Sequence, residues 1–263
     1  TLLGLGALLL LAVMTLAWLA QRLTGNTGWV DVAWSVGTGA VGVLFALAPL
    51  GGAAVQPRQI AVAALVAVWA LRLALHIARR AAAGQDDPRY AALRVAWGAR
   101  YQWRLYLFLL VQAAVAWGLA LSMLLAARNP APGLRTVDLL GIAVLGLAVL
   151  GEAAADQQLH AFKADPARRG QICDTGLWAW SRHPNYFFEW LGWLAYPLFA
   201  FGTPWGWLAL SGPALMYWAL RLASGVPPLE AHMLRRHGDA FRAYQARVSA
   251  FFPRPPRRHG AVP

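Results

Sequence analysis

The sequence predicts an all-α, polytopic membrane protein with about seven transmembrane helices. Hydrophobic residues make up 59% of its 263 residues and charged residues only 13%, whereas an ordinary soluble domain carries about 25% charged residues. The apolar residues form long runs, and a helix needs about 20 of them to cross a bilayer core of about 30 Å. The basic residues collect on one side of these runs. Composition, run length and charge distribution therefore all favour a bundle of membrane-spanning helices.

Seven apolar runs are long enough to be transmembrane helices. They lie at residues 2–20, 30–50, 59–79, 104–127, 136–158, 184–201 and 204–223. The first run carries no charge, and we interpret it as a helix of the mature protein, because a secretory signal peptide begins with a basic segment. The last two runs are the weakest, since only Gly202 and Thr203 separate them and several prolines can bend them. Six spans are the alternative.

The distribution of basic residues predicts the orientation of the chain. With seven spans, the face opposite the main basic face receives only Arg58, Arg128 and Arg135, and Arg72 lies inside a span. The positive-inside rule then predicts that the N-terminus is outside and the C-terminus cytoplasmic. Topology and attraction to anionic membrane lipids explain the net charge of +12, so nucleic acid is not an expected partner. We expect one transmembrane domain at residues 1–252 and a basic tail at 253–263.

Ionisable side chains within the spans mark candidate functional positions, because each costs about 2.5 kcal/mol or more on insertion scales. On the fifth span, Glu152 and Asp156 are four residues apart and share one face, which His160 and Lys163 continue. Two carboxylates at this spacing repel each other unless a ligand or neighbouring arginines supply donors. This face of the helix therefore predicts a polar site. The alternative is that such groups pair with one another or snorkel to water.

Two further polar faces lie on the second and third spans. Asp31, Trp34 and Ser35 share a face of the second span. Trp69, Arg72 and His76 share a face of the third span. Inside a bilayer such faces are tolerated when they point into a common polar cavity.

The segment TGLWAWSRHPNYFFEW at residues 175–190 is the most informative in the chain. Pro184 suits the first turn of a helix, and free backbone amides at that point would form an anion site beside Ser181, Arg182 and His183. An interfacial belt of aromatic residues with a snorkelling arginine is the plainer alternative. It explains the aromatic residues but not the ordered polar residues.

Other motifs exclude several classes of protein. The sequence contains no G-x-G-x-x-G between a strand and a helix, no G-x-x-x-x-G-K-[ST] and no G-x-S-x-G motif, so a Rossmann domain, a P-loop and a hydrolase elbow are not expected. Its single cysteine, Cys173, excludes an internal disulfide and a multi-cysteine metal site, and no metal is expected. The basic stretch after Glu230 predicts either a membrane-surface helix or a cap over a cytoplasmic cavity.

Three motifs carry a resemblance to a known family. They are E-x-x-x-D at Glu152 and Asp156, the run GLWAWSRHPNYFFEW, and a final basic segment containing Glu230, His232, Phe241 and Tyr244. From residue 25 to residue 256 the chain resembles the bacterial branch of the steroid 5α-reductase family, relatives of the sterol C14-reductases. This resemblance implies a bacterial inner-membrane enzyme that uses NADPH to reduce a C=C bond conjugated to a ketone. The expected substrate is a steroid or similar lipid.

The resemblance also implies roles for individual residues. It predicts cofactor contacts, in a site facing the cytoplasm, from Arg72, Glu152, Asp156, Lys163, Arg182, His183, Asn185, Tyr186 and Glu230. Asp31 stands for the family glutamate that holds the ketone, with a proton to donate. Trp69 stands for the family tyrosine, although an indole cannot act as a general acid. Trp34, Ser35 and Glu189 are the candidate substrate-binding residues.

Two alternative functions remain open from the sequence. The first is an S-adenosylmethionine-dependent methyltransferase of the isoprenylcysteine carboxyl methyltransferase type, which has a similar Arg-His-Pro segment in its C-terminal half. The presence of Asn185 and Asp31 argues against it. The second is a non-catalytic sterol-binding or scaffold protein of the membrane.

Overall fold

The computed structural model describes residues 1–49, 54–84 and 88–257, and within these ranges it contains helices and no β-strand. The all-α prediction is therefore confirmed. In chain order, the helices α1 to α11 of this part of the chain are Leu2–Thr24, Gly28–Leu47, Pro57–Ala82, Pro88–Trp97, Tyr101–Ala127, Thr136–Ala164, Pro184–Trp193, Ala195–Ala200, Ser211–Tyr217, Val226–His237 and Asp239–Arg247.

Five helical segments in the described ranges are long and apolar enough to cross a membrane. They are Leu2–Thr24, Gly28–Leu47, Pro57–Ala82, Arg89–Ala127 and Thr136–Ala164, the fourth combining α4 and α5. They correspond to the first five predicted spans, although position 50 of the second span lies outside the described residues. Their length and hydropathy support an integral membrane protein.

The sixth predicted span is divided into two shorter helices, whereas the seventh, at 204–223, contains consecutive 3₁₀, α and π turns at Gly206–Leu210, Ser211–Tyr217 and Trp218–Ala223. The run 184–201 forms α7 and α8, which meet at Leu194. Pro197 has no N–H to donate to the carbonyl of Trp193, and its ring crowds that carbonyl, so a continuous helix is broken at this point. Gly202 then turns the chain with a φ of 81°, a value that favours glycine. The number of seven spans and the orientation of the termini stay predictions.

The chain forms two compact units. The first comprises Thr1–Ile142 and Ala195–Leu215, and the second comprises Ala143–Leu194 and Met216–Pro263, of which the structure describes residues up to 257. The core of the first unit is built from buried side chains of α1, α2 and α5, among them Met14, Phe45 and Leu109. A β-carbon at Gly42 of α2 would collide with the sulfur of Met123 on α5. Glycine at this position therefore permits close packing of these two helices.

A buried ion pair organises one end of the first unit. Arg58, at the start of α3, donates to the Oδ2 atom of Asp138 from Nε at 3.2 Å and from Nη2 at 2.7 Å. Its side chain is 2% exposed and that of Asp138 is 0% exposed. The same guanidinium donates to the carbonyl oxygens of Asn129, Ala131 and Gly133. One arginine thus provides the hydrogen-bond donors for three carbonyl oxygens of the connection between α5 and α6.

The second unit packs α7 closely against α6. A β-carbon at Gly151 of α6 would collide with the ring of Phe188 on α7, so glycine is required for this approach. Two small clusters of buried side chains complete the unit. One is formed by Phe162, Cys173 and Trp178, and the other by Phe241, Tyr244 and Val248.

We predict that Asp138→Asn lowers the free energy of unfolding by about 3 to 5 kcal/mol, because it leaves the buried charge of Arg58 without its carboxylate. Denaturant titration in mixed micelles, followed by tryptophan fluorescence, measures this change. Asp165→Asn is the matched control, since its ion pair with Arg168 is 41% and 46% exposed, and it should change the free energy by less than about 1 kcal/mol. Equal effects of the two substitutions would contradict the role of the buried pair.

Candidate functional site

The segment before α7 is fixed to two helices of the second unit. The indole of Trp178 donates to the carbonyl oxygen of Ala155 on α6 at 3.0 Å. The side-chain oxygen of Gln158 accepts from the backbone N–H of Leu177 at 2.9 Å. The hydroxyl of Tyr244 on α11 donates to the carbonyl oxygen of Trp178 at 2.6 Å. These contacts hold the polar run that follows in one position.

Glu230 of α10 gathers the polar residues of that run. Its carboxylate accepts hydrogen bonds from Nε of Arg182 at 2.7 Å and from Nη2 of Arg182 at 3.2 Å. Nε2 of His183 lies 3.0 Å from Oε1 of Glu230, and the side-chain amide of Gln245 donates to Oε2 at 2.8 Å. Nη1 of Arg182 also donates to the carbonyl oxygens of Gln245 and Val248. The charges of Arg182 and Glu230 are therefore largely satisfied by each other and by the backbone.

Backbone amides before α7 are also satisfied within the chain, which corrects the predicted anion site. The N–H of Arg182 donates to the carbonyl oxygen of Ser249 at 2.8 Å. The N–H of His183 donates to the hydroxyl of Ser181 at 3.1 Å, and that hydroxyl donates to the carbonyl oxygen of Phe251 at 2.8 Å. Sequence alone could not reveal the two carbonyl acceptors, because Ser249 and Phe251 lie about 70 positions later in the chain. The run serves to anchor the C-terminal segment.

A hydrogen bond joins the polar face of α6 to α7. Nδ2 of Asn185 donates to Oδ1 of Asp156 at 3.2 Å, and Oδ1 of Asn185 accepts from the N–H of Tyr186. Glu152, one turn before Asp156, is 7% exposed. Lys163, at the far end of the same face, is exposed. The structure therefore brings together a carboxylate and a carboxamide predicted to contact the cofactor.

Protonation of the cluster follows from its contacts. Burial by itself would raise the pKa of Glu230, but the hydrogen bonds from His183 and Arg182 and the charge of Arg182 lower it to about 2. Burial lowers the pKa of His183 below its usual value, although Glu230 acts in the opposite direction. A neutral His183 beside an ionised carboxylate must donate from Nε2, which leaves Nδ1 as an acceptor. Its ring stacks on that of Tyr186 with centroids 5.6 Å apart.

Arg221 adds a positive charge to this cluster. It lies in a π-helical turn at Trp218–Ala223, and its charge lowers the pKa of His183. Its side chain is half-buried and makes no hydrogen bond or ion pair with any residue that the structure describes. Arg221 is thus the arginine of the cluster with capacity for an anion.

Glu189, predicted to bind the substrate, accepts a hydrogen bond inside its own helix. The indole of Trp193 donates to Oε1 of Glu189 at 3.0 Å, and Glu189 is 7% exposed. This contact gives the carboxylate a structural partner one turn further along α7. Its role with a substrate stays a prediction.

The predicted catalytic residues lie in the first unit. Asp31 of α2 forms an ion pair with Nη2 of Arg89 on α4, and it accepts a hydrogen bond from the hydroxyl of Tyr90 at 2.8 Å. Asp31 thus accepts from a guanidinium and a phenol at once, and its role as a proton donor stays a prediction. The hydroxyl that accompanies Asp31 belongs to Tyr90, and the catalytic role of Trp69 stays a prediction.

The aromatic and polar residues beside Asp31 take structural positions. The rings of Trp34 and Trp69 meet edge to face, with centroids 6.5 Å apart. The hydroxyl of Ser35 donates to the carbonyl oxygen of Asp31 within α2, and Ser35 is fully buried. Arg72 of α3 belongs to this unit as well, and its contact with a cofactor stays a prediction.

Comparison with known families decides where this chain belongs. The family model described as "Protein of unknown function (DUF1295)" matches residues 17–248. The chain belongs to the DUF1295 family. DUF1295 is part of the steroid 5α-reductase-like superfamily, so the resemblance read from the sequence is supported at the level of the superfamily. The matched range of this DUF1295 chain includes Asp31, Glu152, Asn185 and Glu230.

A curated relative of this DUF1295 protein comes from fission yeast. It is the uncharacterized protein C594.04c of Schizosaccharomyces pombe, which is 25% identical over 281 residues, covering 95% of this chain and 79% of the relative. No solved structure matches the chain.

Three residues of the DUF1295 chain were missed by sequence reasoning. Arg89 was counted as a topological charge, and Tyr90 and Gln245 carry no motif of their own. The adjacent Arg-Tyr pair at the start of an amphipathic helix was the available signal for Arg89 and Tyr90. No local signal identifies Gln245, because its partner Glu230 lies on another helix.

We predict that Glu230→Gln lowers the free energy of unfolding by about 3 kcal/mol at pH 7, since it removes the charge that pairs with buried Arg182. A depressed carboxylate pKa contributes stability above its unfolded value and loses it as the pH falls. The stability difference between wild type and variant should therefore shrink from pH 4.5 towards about pH 2. His183, whose pKa lies below 6.5 in the folded chain, should destabilise the wild type as the pH falls below that value.

Thermal unfolding in detergent from pH 8 to pH 2.5 measures both effects. Asp239→Asn is the control, since its ion pair with Arg242 is largely exposed. A difference between wild type and Glu230→Gln that stays constant over the whole range would refute the pairing of an ionised Glu230.

Proposed function

We propose that this chain is a membrane-embedded, NADPH-dependent reductase of a C=C bond conjugated to a ketone, acting on a steroid or steroid-like lipid. The cofactor site is the polar cluster of the second unit, formed by Glu152, Asp156, Asn185 and the side chains around Glu230. The observation that carries this proposal is the hydrogen bond between Asn185 and Asp156, which joins a carboxamide on α7 to a carboxylate on α6.

The chemistry of this donor set fits a nicotinamide nucleotide. Ionised carboxylates accept hydrogen bonds from ribose hydroxyls or from a carboxamide N–H, and Asn185 retains one N–H and one lone pair for a ligand. Tyr186, stacked on His183, presents an aromatic face beside these polar groups.

The two arginines of the cluster have different roles in this proposal. Arg182 donates to Glu230 and to two backbone carbonyls, so it positions the C-terminal segment and contributes less to ligand binding. Arg221 has no such partners among the described residues, and guanidinium groups bind phosphate oxygens well. We therefore assign the anionic part of the cofactor to Arg221, with exposed Lys163 as a second cation.

The carbonyl-binding group of this proposal is the Asp31 and Tyr90 pair of the first unit. NADPH, when bound, supplies hydride to the β-carbon of an enone, and the oxygen of the ketone then gains negative charge. The hydroxyl of Tyr90 lies 2.8 Å from Asp31. When its single O–H turns from Asp31 to that oxygen, it can stabilise the oxygen and give it a proton, which leaves a tyrosinate. Trp69 has no comparable proton, so Tyr90 replaces it in this role. Trp34, on α2 like Asp31, provides an apolar surface for the lipid substrate.

The place of this reaction follows from the basic residues. Their asymmetry supports a bacterial inner membrane protein with the N-terminus outside and with its C-terminus and cofactor site in the cytoplasm, where NADPH is available. The apolar helices give a lipid substrate direct access from the bilayer.

We predict that Asn185→Ala weakens NADPH binding about tenfold, because it removes hydrogen bonds to the ligand and to Asp156. Calorimetric titration of the purified full chain in detergent measures the Kd. Gln157→Ala is the matched control, since it removes an exposed amide next to Asp156 and should leave the Kd unchanged. An unchanged Kd in Asn185→Ala would remove the cofactor assignment.

Methyl transfer from S-adenosylmethionine without NADPH binding would replace the proposal by the methyltransferase alternative.

We also predict that Asp31→Asn and Tyr90→Phe each lower turnover about 100-fold or more while NADPH binding persists. Tyr90→Phe removes the proton for the enolate oxygen, and Asp31→Asn removes the charge that holds Arg89 and the hydroxyl of Tyr90 in place. NADPH oxidation with a 3-oxo-Δ4-steroid as the probe substrate measures turnover. Tyr106→Phe is the control, because the hydroxyl of Tyr106 contacts only that of Thr15, at 3.5 Å, among the described residues. Full turnover in Tyr90→Phe would rule out the role of its hydroxyl.

A further inference from the structure

One end of the first unit gathers several helix ends. Arg128, directly after α5, donates from Nε and Nη2 to the carbonyl oxygen of Phe45 and from Nη2 to that of Ala48, where α2 ends. Asn129 donates to the carbonyl oxygens of Phe199 and Phe201, where α8 ends. The ends of α2, α5 and α8 therefore lie at one level of this unit, as expected where transmembrane helices reach a membrane surface.

Three arginines at this level differ in whether they form an ion pair with a carboxylate. Arg58 and Arg135 both form ion pairs with Asp138. Arg128 forms no ion pair with any residue in the described ranges, and its Nη1 donates no hydrogen bond there. Arg128 is half-buried. It therefore carries a charge without a carboxylate and two N–H groups available to an anion.

Arg128 also lines a groove of about 370 Å³. The apolar walls of this groove include Leu124 and Leu125 of α5 and the ring of Trp205, which is 65% exposed. Thr203, also in the wall, donates its hydroxyl hydrogen to the carbonyl oxygen of Ala200 at 2.9 Å. Its oxygen can still accept a hydrogen bond from a ligand hydroxyl.

We propose that this groove binds an anionic phospholipid of the bilayer, with the phosphate on Arg128 and the start of an acyl chain along Leu124 and Leu125. None of the residues that line this groove belongs to the proposed reductase site. The guanidinium provides charge complementarity for a phosphate, and its unused Nη1 provides the donors. The apolar side of the groove favours a lipid over a free phosphate ion, which has no apolar part to bury.

Exposed aromatic side chains support a location at the membrane surface. Phe201 and Trp207 are 66% and 63% exposed on either side of Trp205. Aromatic residues collect where the bilayer meets water, because their rings suit the headgroup level. A headgroup held there by Arg128 would have its chains within the hydrocarbon, beside α5.

Phosphatidylglycerol added to the delipidated full chain tests this proposal, with lipid retention measured by native mass spectrometry. We expect one lipid to be retained and Arg128→Gln to weaken that retention about tenfold, the loss expected for a charge-assisted contact. Arg104→Gln is the matched control, because it removes an exposed arginine from the other end of α5 and should leave this lipid bound. Phosphatidylcholine, which has no net charge, should bind more weakly than phosphatidylglycerol.

A second variant decides the outcome if Arg128→Gln does not fold, since Arg128 also caps α2. Trp205→Ala removes an exposed ring and should lower retention of phosphatidylglycerol without lowering the thermal midpoint. Equal retention by wild type and by the folded Arg128→Gln protein would overturn the proposal. Equal retention by wild type and Trp205→Ala, or equal affinity for phosphatidylglycerol and phosphatidylcholine, would overturn it as well.

Discussion

The carboxylate of Glu230 is the group on which the arrangement of the second unit depends. It accepts from Arg182, His183 and Gln245, and so joins the segment before α7 to α10 and α11. A carboxylate has about four lone-pair sites, and the four hydrogen bonds to Glu230 fill that capacity. Because both Arg182 and Glu230 are largely buried, loss of either would leave the other as an uncompensated charge. Their pairing therefore determines which neighbouring groups have capacity left for a ligand.

Buried charges are also paired in the first unit. Asp138 balances Arg58 and Arg135, and Asp31 balances Arg89. In a chain with so few charged residues, each buried charge has to be paired or must serve a ligand. Arg128 and Arg221 stand out on this ground, because neither forms an ion pair with a described residue. One is assigned to a lipid phosphate and the other to a cofactor phosphate.

In the proposed reductase, some polar side chains fix the backbone and others bind the cofactor. Arg182, Ser181 and Trp178 fix the backbone through hydrogen bonds to distant carbonyls, which keeps the cofactor residues in place before any ligand arrives. Asn185 and Asp156 meet across α6 and α7, and the glycine at position 151 allows that approach. The proposed site therefore requires α6 and α7 to pack closely enough for the carboxamide of Asn185 to reach the carboxylate of Asp156.

The sequence by itself determined that the protein lies in a membrane and that its fold is all-α. Apolar run length fixes a helix in lipid almost independently of its neighbours, so the five long helices and the polar face of Glu152 and Asp156 could be predicted. Tertiary structure decided which polar groups pair. Helical spacing relates residues on one helix only, and the partners of Arg182 and Asp31 come from residues 48 and 58 positions away. It also decided that the hydroxyl beside Asp31 is that of Tyr90. These outcomes depend on contacts between helices, which no local pattern in a single sequence records.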